Sequence, residues 1–394
     1  MKNKPLFLFQ FLTLHFFCEN ISFASNYNKH QLISHLLLNI NMSSSSEEKK
    51  AECNNESGVA ARLARKNILS LTPYRCARDD YSEGILLDAN ENAIGPTSLP
   101  TNSLNPFDNH LSLERYPCPY QTPLKEMYAS LRGHGLRPSQ LFCGVGSDEA
   151  IDLLIRIFCV PGVDNILTTP PTYGMYKVCA AVNDVGVLHA PLTPDFGITV
   201  NEMISTSNAN TKLMFVCSPG NPTAKAIPLS DIEALANSSY SGIIVVDEAY
   251  VDFSTDIPSA VQLVNKYPNI VVLQTLSKAF GLAGIRLGFA IGNDDIIQLM
   301  NNVKAPYNIN KLTSEVAINA LKNINVLNAN IKSILDQRTT VAKALNELNF
   351  VTKVFPSDAN FLLFRVEKYA FEMYKLVRTN KITKYIVTRC FCSN

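Results

Sequence analysis

The chain has 394 residues, 46% of them hydrophobic and 18% charged, which excludes a wholly disordered, collagen-like or low-complexity polypeptide and leaves room for two or three domains. Thirty-five Lys and Arg against 34 Asp and Glu give a net charge of +1, so no whole-molecule basic field invites nucleic acid. The ten cysteines form neither a CxxC pair nor a Cys/His cluster at zinc spacing. Most sit among apolar neighbours, the pattern of reduced thiols in a cytoplasmic protein without a metal centre.

The N-terminus runs MKNKPLFLFQFLTLHFF, two lysines and an apolar stretch, with Ser22-Phe23-Ala24 beyond it as a candidate signal cleavage site. The apolar run is too short to favour a membrane span, and no membrane partner is expected. Residues 1–41 are read as an extension of doubtful origin, because Met42 opens SSSSEEKKAEC, a polar leader of the kind that starts cytosolic chains. Residues 42–105 form that leader and an arm. Short, continuous β-branched runs then recur at 166–168, 213–217, 243–246, 270–273 and 287–291, as expected of strands covered on both faces. Helical stretches separate them. One opens at Ser147-Asp148-Glu149 and carries Ile151, Leu154, Ile155 and Phe158 at helical spacing; others cover 229–236 and 294–303. The alternation predicts an α/β fold for residues 106–310, a mostly parallel sheet with helices on both sides. Residues 312–348 read as helical throughout and precede strands at 351–355 and 361–364, so 311–394 is a smaller α+β domain. From Arg365 onward the chain is basic, and it stops just after a strand-like Tyr385-Ile386-Val387-Thr388, which leaves that domain short at its C-terminal side.

Five segments carry chemistry. Gly144-Val145-Gly146-Ser147-Asp148 is a glycine-rich entry to a helix, whose free N–H groups suit a phosphate; it does not fit GxGxxG. Pro170-Pro171-Thr172-Tyr173-Gly174 can set an aromatic ring beside a heterocycle. Ser218-Pro219-Gly220-Asn221-Pro222 brackets an amide between prolines and fixes its direction. The run 243–247 delivers Asp247 at the end of a hydrophobic strand, where α/β sheets bind ligands. A Walker B acid is excluded by the absence of a GxxxxGK[ST] loop. Last, Gln274-Thr275-Leu276-Ser277-Lys278 places a lysine just past a buried strand, where desolvation favours a Schiff-base amine. Arg286 follows as an anion clamp. Each segment alone has an ordinary structural reading: a turn, a helix cap, a packed ring, a surface lysine. Their order is less easily dismissed, with 26 residues from Asn221 to Asp247, 31 from there to Lys278 and 8 to Arg286.

This series resembles the fold-type I, aspartate-aminotransferase-like family of pyridoxal-phosphate enzymes. Within it the chain is similar to the class II histidinol-phosphate aminotransferases, through NILSLTPYRCA (67–77), LLDANENAIGP (86–96), RYP (115–117), GVGSDEAIDLLIR, PTYGMY, VVDEAY and TLSKAFGLAGIRLGF. The resemblance covers roughly residues 60 to 389. It implies a pyridoxal 5'-phosphate cofactor joined to Lys278, whose freed amine then acts as the base. Asp247 would pair with the pyridine nitrogen, Asn221 and Tyr250 would bond the ring hydroxyl oxygen, and Tyr173 would stack on the ring. Ser147, Asp148, Ser277 and Arg286 would hold the phosphate, with Tyr116 reaching the partner's phosphate in a homodimer. Tyr74, Asn90 and Arg389 would line the substrate side. The implied reaction passes the amino group of L-histidinol phosphate to 2-oxoglutarate in histidine biosynthesis, leaving glutamate. Two departures stand out. Ala224 follows Asn-Pro-Thr where the family has glycine, which costs ~1 kcal/mol if the position needs positive φ. The Arg-Ile-Thr-Val-Gly-like strand of the family is also absent. A phospho-amino-acid decarboxylase on the same scaffold would share Lys278 and Asp247, and a catalytically silent form would keep the cofactor residues alone.

Overall fold

The computed structural model describes residues 6–11, 58–72, 112–368, 370 and 386–391. Its strands are β1 (Leu6–Phe11), β2 (Leu141–Val145), β3 (Asn165–Thr168), β4 (Gly186–His189), β5 (Thr211–Cys217), β6 (Ile243–Asp247), β7 (Ile270–Thr275), β8 (Leu287–Ile291), β9 (Val351–Val354), β10 (Phe361–Val366) and β11 (Ile386–Phe391). Its first helices are α1 (Val59–Leu63), α2 (Lys66–Leu69), α3 (Thr122–Arg132), α4 (Gly146–Phe158) and α5 (Met175–Val182). Five more follow: α6 (Val200–Thr206), α7 (Leu229–Ala236), α8 (Asp294–Val303), α9 (Lys311–Lys322) and α10 (Ile324–Asn346).

Seven strands form one sheet in the order β2-β8-β7-β6-β5-β3-β4. The pairs β4–β3–β5–β6–β7 are parallel, while β8 runs antiparallel to both β7 and β2. Consecutive residues of the central strands serve two cores. Met214, Val216, Ile244, Val246, Ile270 and Val272 pack on one face, and Leu213, Phe215, Ile243, Val245, Val271 and Leu273 on the other. A strand with both faces covered has no polar side, which is why these runs are continuous rather than alternating. Helix α4 buries Ile151, Leu154, Ile155 and Phe158 and lies along β2 and β8. The parallel order leaves the carboxyl ends of β5, β6 and β7 side by side, at Cys217, Asp247 and Thr275, and the site is built there.

A second sheet has the order β11-β1-β10-β9. Its β10 packs Phe361 and Leu363 into a cluster with Ala224, Tyr250, Phe253 and Ala279, all close to the crevice. The other face of β10, Leu362 and Phe364, joins Leu345 and Val354. Thus the small sheet seats directly on residues flanking the site.

Three elements differ from the sequence expectation. The helical stretch 312–348 is two helices, broken at Asn323, which ends α9 and starts α10. Strands β2 and β4 are short and hold glycine (LFCGV, GVLH), so they carry little strand signal. Part of the signal-like N-terminus, Leu6–Phe11, runs antiparallel between β10 and β11, pairing Leu6 with Arg365 and Leu8 with Arg389. Its aromatic, apolar composition suits a strand as well as a leader, and periodicity cannot separate the two in so short a run. The Ser22–Ala24 cleavage site and the Met42 start lie outside the described residues.

Candidate active site

Nine side chains singled out from the sequence line one cavity of about 150 Å³: Ser147, Asp148, Tyr173, Asn221, Asp247, Tyr250, Ser277, Lys278 and Arg286. Cys217, Ala249 and Thr275 complete the wall. Tyr116 stands apart, 49% exposed, its ring stacked on Tyr307 at 4.7 Å. Tyr74 and Asn90 lie outside the described residues, and Arg389 falls on β11.

One part of the cavity is shaped for an anion. Helix α4 starts at Gly146, whose φ of 73° places it in the left-handed region, and its first N–H groups have no intrahelical partner. The backbone of Gly146 donates to the Arg286 carbonyl at 3.0 Å. Contact with β8 is closer still: a Cβ on Gly288 would lie 2.3 Å from the Ser147 nitrogen and 2.5 Å from the Gly146 carbonyl carbon. Only glycine permits that approach. Arg286 itself is left-handed, with φ 53°, which turns its side chain back over the helix start. Its Nη1 donates to Ser277 Oγ at 3.3 Å and its Nη2 pairs with Asp148 Oδ2 at 3.3 Å. Thr275 fixes the next turn by accepting the Ser277 N–H at 3.1 Å. Guanidinium, serine hydroxyl and helix N-terminus together are the donor set a phosphate monoester requires.

Tyr173 links this cradle to the ring wall. Its hydroxyl donates to Asp148 Oδ1 at 3.1 Å, and its phenol is held well above the usual range by burial and then by Asp148.

The carboxylate lies at the end of β6. Asp247 is buried, and burial pushes its acid up to about 6 against the pull of its hydrogen bonds. Its Oδ2 accepts from the Tyr176 hydroxyl at 2.6 Å and its Oδ1 from the Ala249 N–H at 3.3 Å. A buried acid so poised favours a cationic partner, which a protonated pyridine nitrogen supplies.

Asn221 is presented by the loop after β5. Gly220 donates to the Lys225 carbonyl at 2.9 Å and Ala224 to the Gly220 carbonyl at 2.7 Å, while Ser218 donates to the Asp247 carbonyl at 2.9 Å. Ala224 has φ 59°, so the position does need the left-handed region. The turn between β9 and β10 clamps this loop as well: Asp358 donates its N–H to the Ala224 carbonyl at 2.7 Å and accepts from the Ala226 N–H at 2.8 Å.

Two functional features lie beyond the sequence reading. Tyr176 has no spacing signal that separates it from a core residue, and only the fold brings its hydroxyl to Asp247 at the end of β6. Glu248 is the other. It is buried and accepts from Ser259 Oγ at 2.5 Å, the Ala260 N–H at 2.6 Å and Gln274 Nε2 at 2.8 Å. Gln274 in turn accepts from Tyr128, which accepts from Arg132. This chain joins the ends of β6 and β7 to α3.

The family model for aminotransferase class I and II matches residues 83–390. Histidinol-phosphate aminotransferase of Schizosaccharomyces pombe is 48% identical over 314 residues, covering 77% of this chain and 80% of that protein. The same enzyme of Candida maltosa is 45% identical over 345 residues, covering 81% and 87%. Among solved structures, histidinol-phosphate aminotransferase of Clostridium acetobutylicum superposes with a TM-score of 0.62 at 25% identity, over 68% of this chain and 80% of that one. The Sinorhizobium meliloti enzyme, solved with pyridoxal-5'-phosphate, shares the fold with a TM-score of 0.64 at 22% identity, over 74% and 79%. The cavity described above brings together Lys278, Asp247 and an anion cradle. The chain belongs to the class I and II aminotransferases, in the histidinol-phosphate aminotransferase family.

Proposed function

We propose that the chain transfers the amino group of L-histidinol phosphate to 2-oxoglutarate, yielding imidazole-acetol phosphate and glutamate. The observation that carries this reading is one cavity that brings Lys278 and Asp247 together with an anion cradle of Ser147, Asp148, Ser277 and Arg286. Pyridoxal phosphate, when bound, supplies an electron sink for the negative charge that develops at the substrate Cα.

The protein's own groups do the rest. The α4 N-terminus, Ser277 and Arg286 anchor the cofactor phosphate, and Tyr173 stacks on its ring. Asp247 would pair with the ring nitrogen and keep it protonated, while Asn221 and Tyr250 would hydrogen-bond the ring hydroxyl oxygen. Lys278 holds the cofactor and later takes the proton from the substrate Cα. Its ammonium lies over the Tyr250 ring at 5.3 Å, so the lysine and one ring-hydroxyl partner are already adjacent. On the substrate side we assign Tyr74, Asn90 and Arg389, with the Arg389 guanidinium as the group that would bind the substrate phosphate.

Tyr116 is assigned to the partner's cofactor phosphate in a homodimer, a role its exposure supports. The described cysteines, Cys118, Cys143, Cys159, Cys179 and Cys217, are free thiols, in keeping with a cytoplasmic enzyme. No helix among the described residues is long and apolar enough to cross a membrane.

A single-turnover experiment tests the reaction. Protein loaded with pyridoxal phosphate should lose its visible band when L-histidinol phosphate is added, and regain it with 2-oxoglutarate. An unchanged band, or a lost band that 2-oxoglutarate does not restore, would refute transamination.

A further inference from the structure

Tyr176 does two things at once. Its hydroxyl donates to Asp247 Oδ2 at 2.6 Å inside the protein. Its ring stacks on Phe215 at 4.6 Å, with 21° between the planes, and meets Tyr173 edge-on at 5.6 Å and 86°. Phe215 lies on β5 and belongs to the core, so the phenol is fixed from behind by a buried ring. Tyr173 continues the line through its own hydroxyl to Asp148, and Asp148 continues it to Arg286. Asp247, the stacking ring and the phosphate cradle are therefore keyed to one another through a residue that does not line the cavity.

We propose that Tyr176 is a positioning residue that holds the Asp247 carboxylate ionised and aimed at the cofactor's ring nitrogen while squaring Tyr173 against the ring face. The inference rests on the reading of the cavity as a pyridoxal-phosphate site and deepens it. A carboxylate this deep in the protein resists ionisation, and every donor it keeps matters. Two donors are present, the Tyr176 hydroxyl and the Ala249 N–H. Of these the hydroxyl is much the shorter, and a short bond to an ionised oxygen is the stronger kind. Besides Tyr176, the charged and titratable groups around Asp247 are Asp148 of α4, which opposes its ionisation, Lys278 beyond β7, which favours it, Cys217 at the end of β5 and the Tyr173 phenol. None of them replaces the phenol as a donor held in place. Tyr176 is not the acid that titrates: burial and then Asp247 keep its own hydroxyl protonated far above the working range.

The test compares Tyr176→Phe, which removes one oxygen and keeps the ring, with Phe215→Leu, which weakens the stack and keeps the hydroxyl. In cofactor-free protein, infrared titration of the Asp247 carboxyl, identified by its loss in Asp247→Asn, should have its midpoint at about 6 in the wild type. Tyr176→Phe should move that midpoint upward by about one pH unit or more. It should also weaken pyridoxal-phosphate binding about 10- to 100-fold and lower kcat, with little change in KM for L-histidinol phosphate. Phe215→Leu should leave the midpoint in place. A Tyr176→Phe midpoint within a few tenths of the wild type would overturn the proposal, as would an equal shift in Phe215→Leu. If the midpoint moves while wild-type protein ignores L-histidinol phosphate, the positioning role stands and the substrate assignment falls.

Discussion

Replacing Gly288 by alanine should separate the two elements that build the phosphate cradle. The added Cβ would stand 2.3 Å from the Ser147 nitrogen and 2.5 Å from the Gly146 carbonyl carbon. Ordinary contacts need about 3.5 Å, so the start of α4 and strand β8 must part by about 1 Å. Both neighbours are backbone, and no side-chain rotation relieves the clash. Overpacking of this kind costs about 1–3 kcal/mol of stability. The effect on the cofactor is more specific. Hydrogen bonds to phosphate oxygen are made near 2.8 Å and are lost with a displacement of that size. Losing one or two charge-assisted bonds at about 1.5–3 kcal/mol each predicts a fall of at least 10-fold in pyridoxal-phosphate affinity. Titration of cofactor-free Gly288→Ala, followed by absorbance and by the rise in Tm on binding, measures both quantities. Wild-type affinity in that variant would show that the close approach of β8 to α4 has no part in holding the phosphate.

Arg132→Met should destabilise the protein by about 3–5 kcal/mol in urea, because it leaves half-buried Asp252 and the buried Tyr128 hydroxyl without their partner. Adding Asp252→Leu should recover much of that loss. Ala224→Gly should be nearly neutral in thermal unfolding. Relief of a left-handed alanine at φ 59°, worth ~1 kcal/mol, is offset by removal of a fully buried methyl worth ~0.8 kcal/mol. A Tm change above a few degrees in either direction would show that one of the two effects is misjudged. For Glu248, burial raises the acid from 4.5 to about 7. The folded state therefore binds its proton more tightly than the unfolded chain, and the contribution is present below about pH 4.5 and lost as pH rises through 7. Relative to Glu248→Gln, cofactor-free wild type should lose stability between pH 5 and pH 7.5. A difference that does not vary with pH would show that Glu248 stays ionised throughout.

How much of this was legible in the sequence depends on distance along the chain. The central strands announce themselves because burial on both faces leaves only apolar residues, as in IIVVD and IVVLQT. The cavity residues are legible for a related reason: Asp247, Ser277 and Lys278 each stand at or just past a strand end, where parallel strands deliver side chains to one crevice. Ala224 announced a strain that the backbone shows. What stayed hidden was contact between distant segments. Tyr176 reads as one more apolar-face residue of a helix, and only the fold brings its hydroxyl to Asp247, 71 residues away. Glu248 is adjacent to Asp247 in sequence yet faces away from the cavity, into a network reaching α3. Strand β1 could not be foreseen either, because its partners lie more than 350 residues along the chain. Nothing local in LFLFQF selects between a leader and a strand.

We propose Lys278 as the amine on which the chemistry is done. Wild-type protein and Lys278→Ala, both loaded with pyridoxal phosphate and then reduced with borohydride, should be digested and their peptides weighed. A permanent cofactor-mass increment is expected on the peptide bearing Lys278 in the wild type, with a matching visible band before reduction, and neither in the variant. A cofactor found on another lysine, or the same visible band in Lys278→Ala, would contradict it.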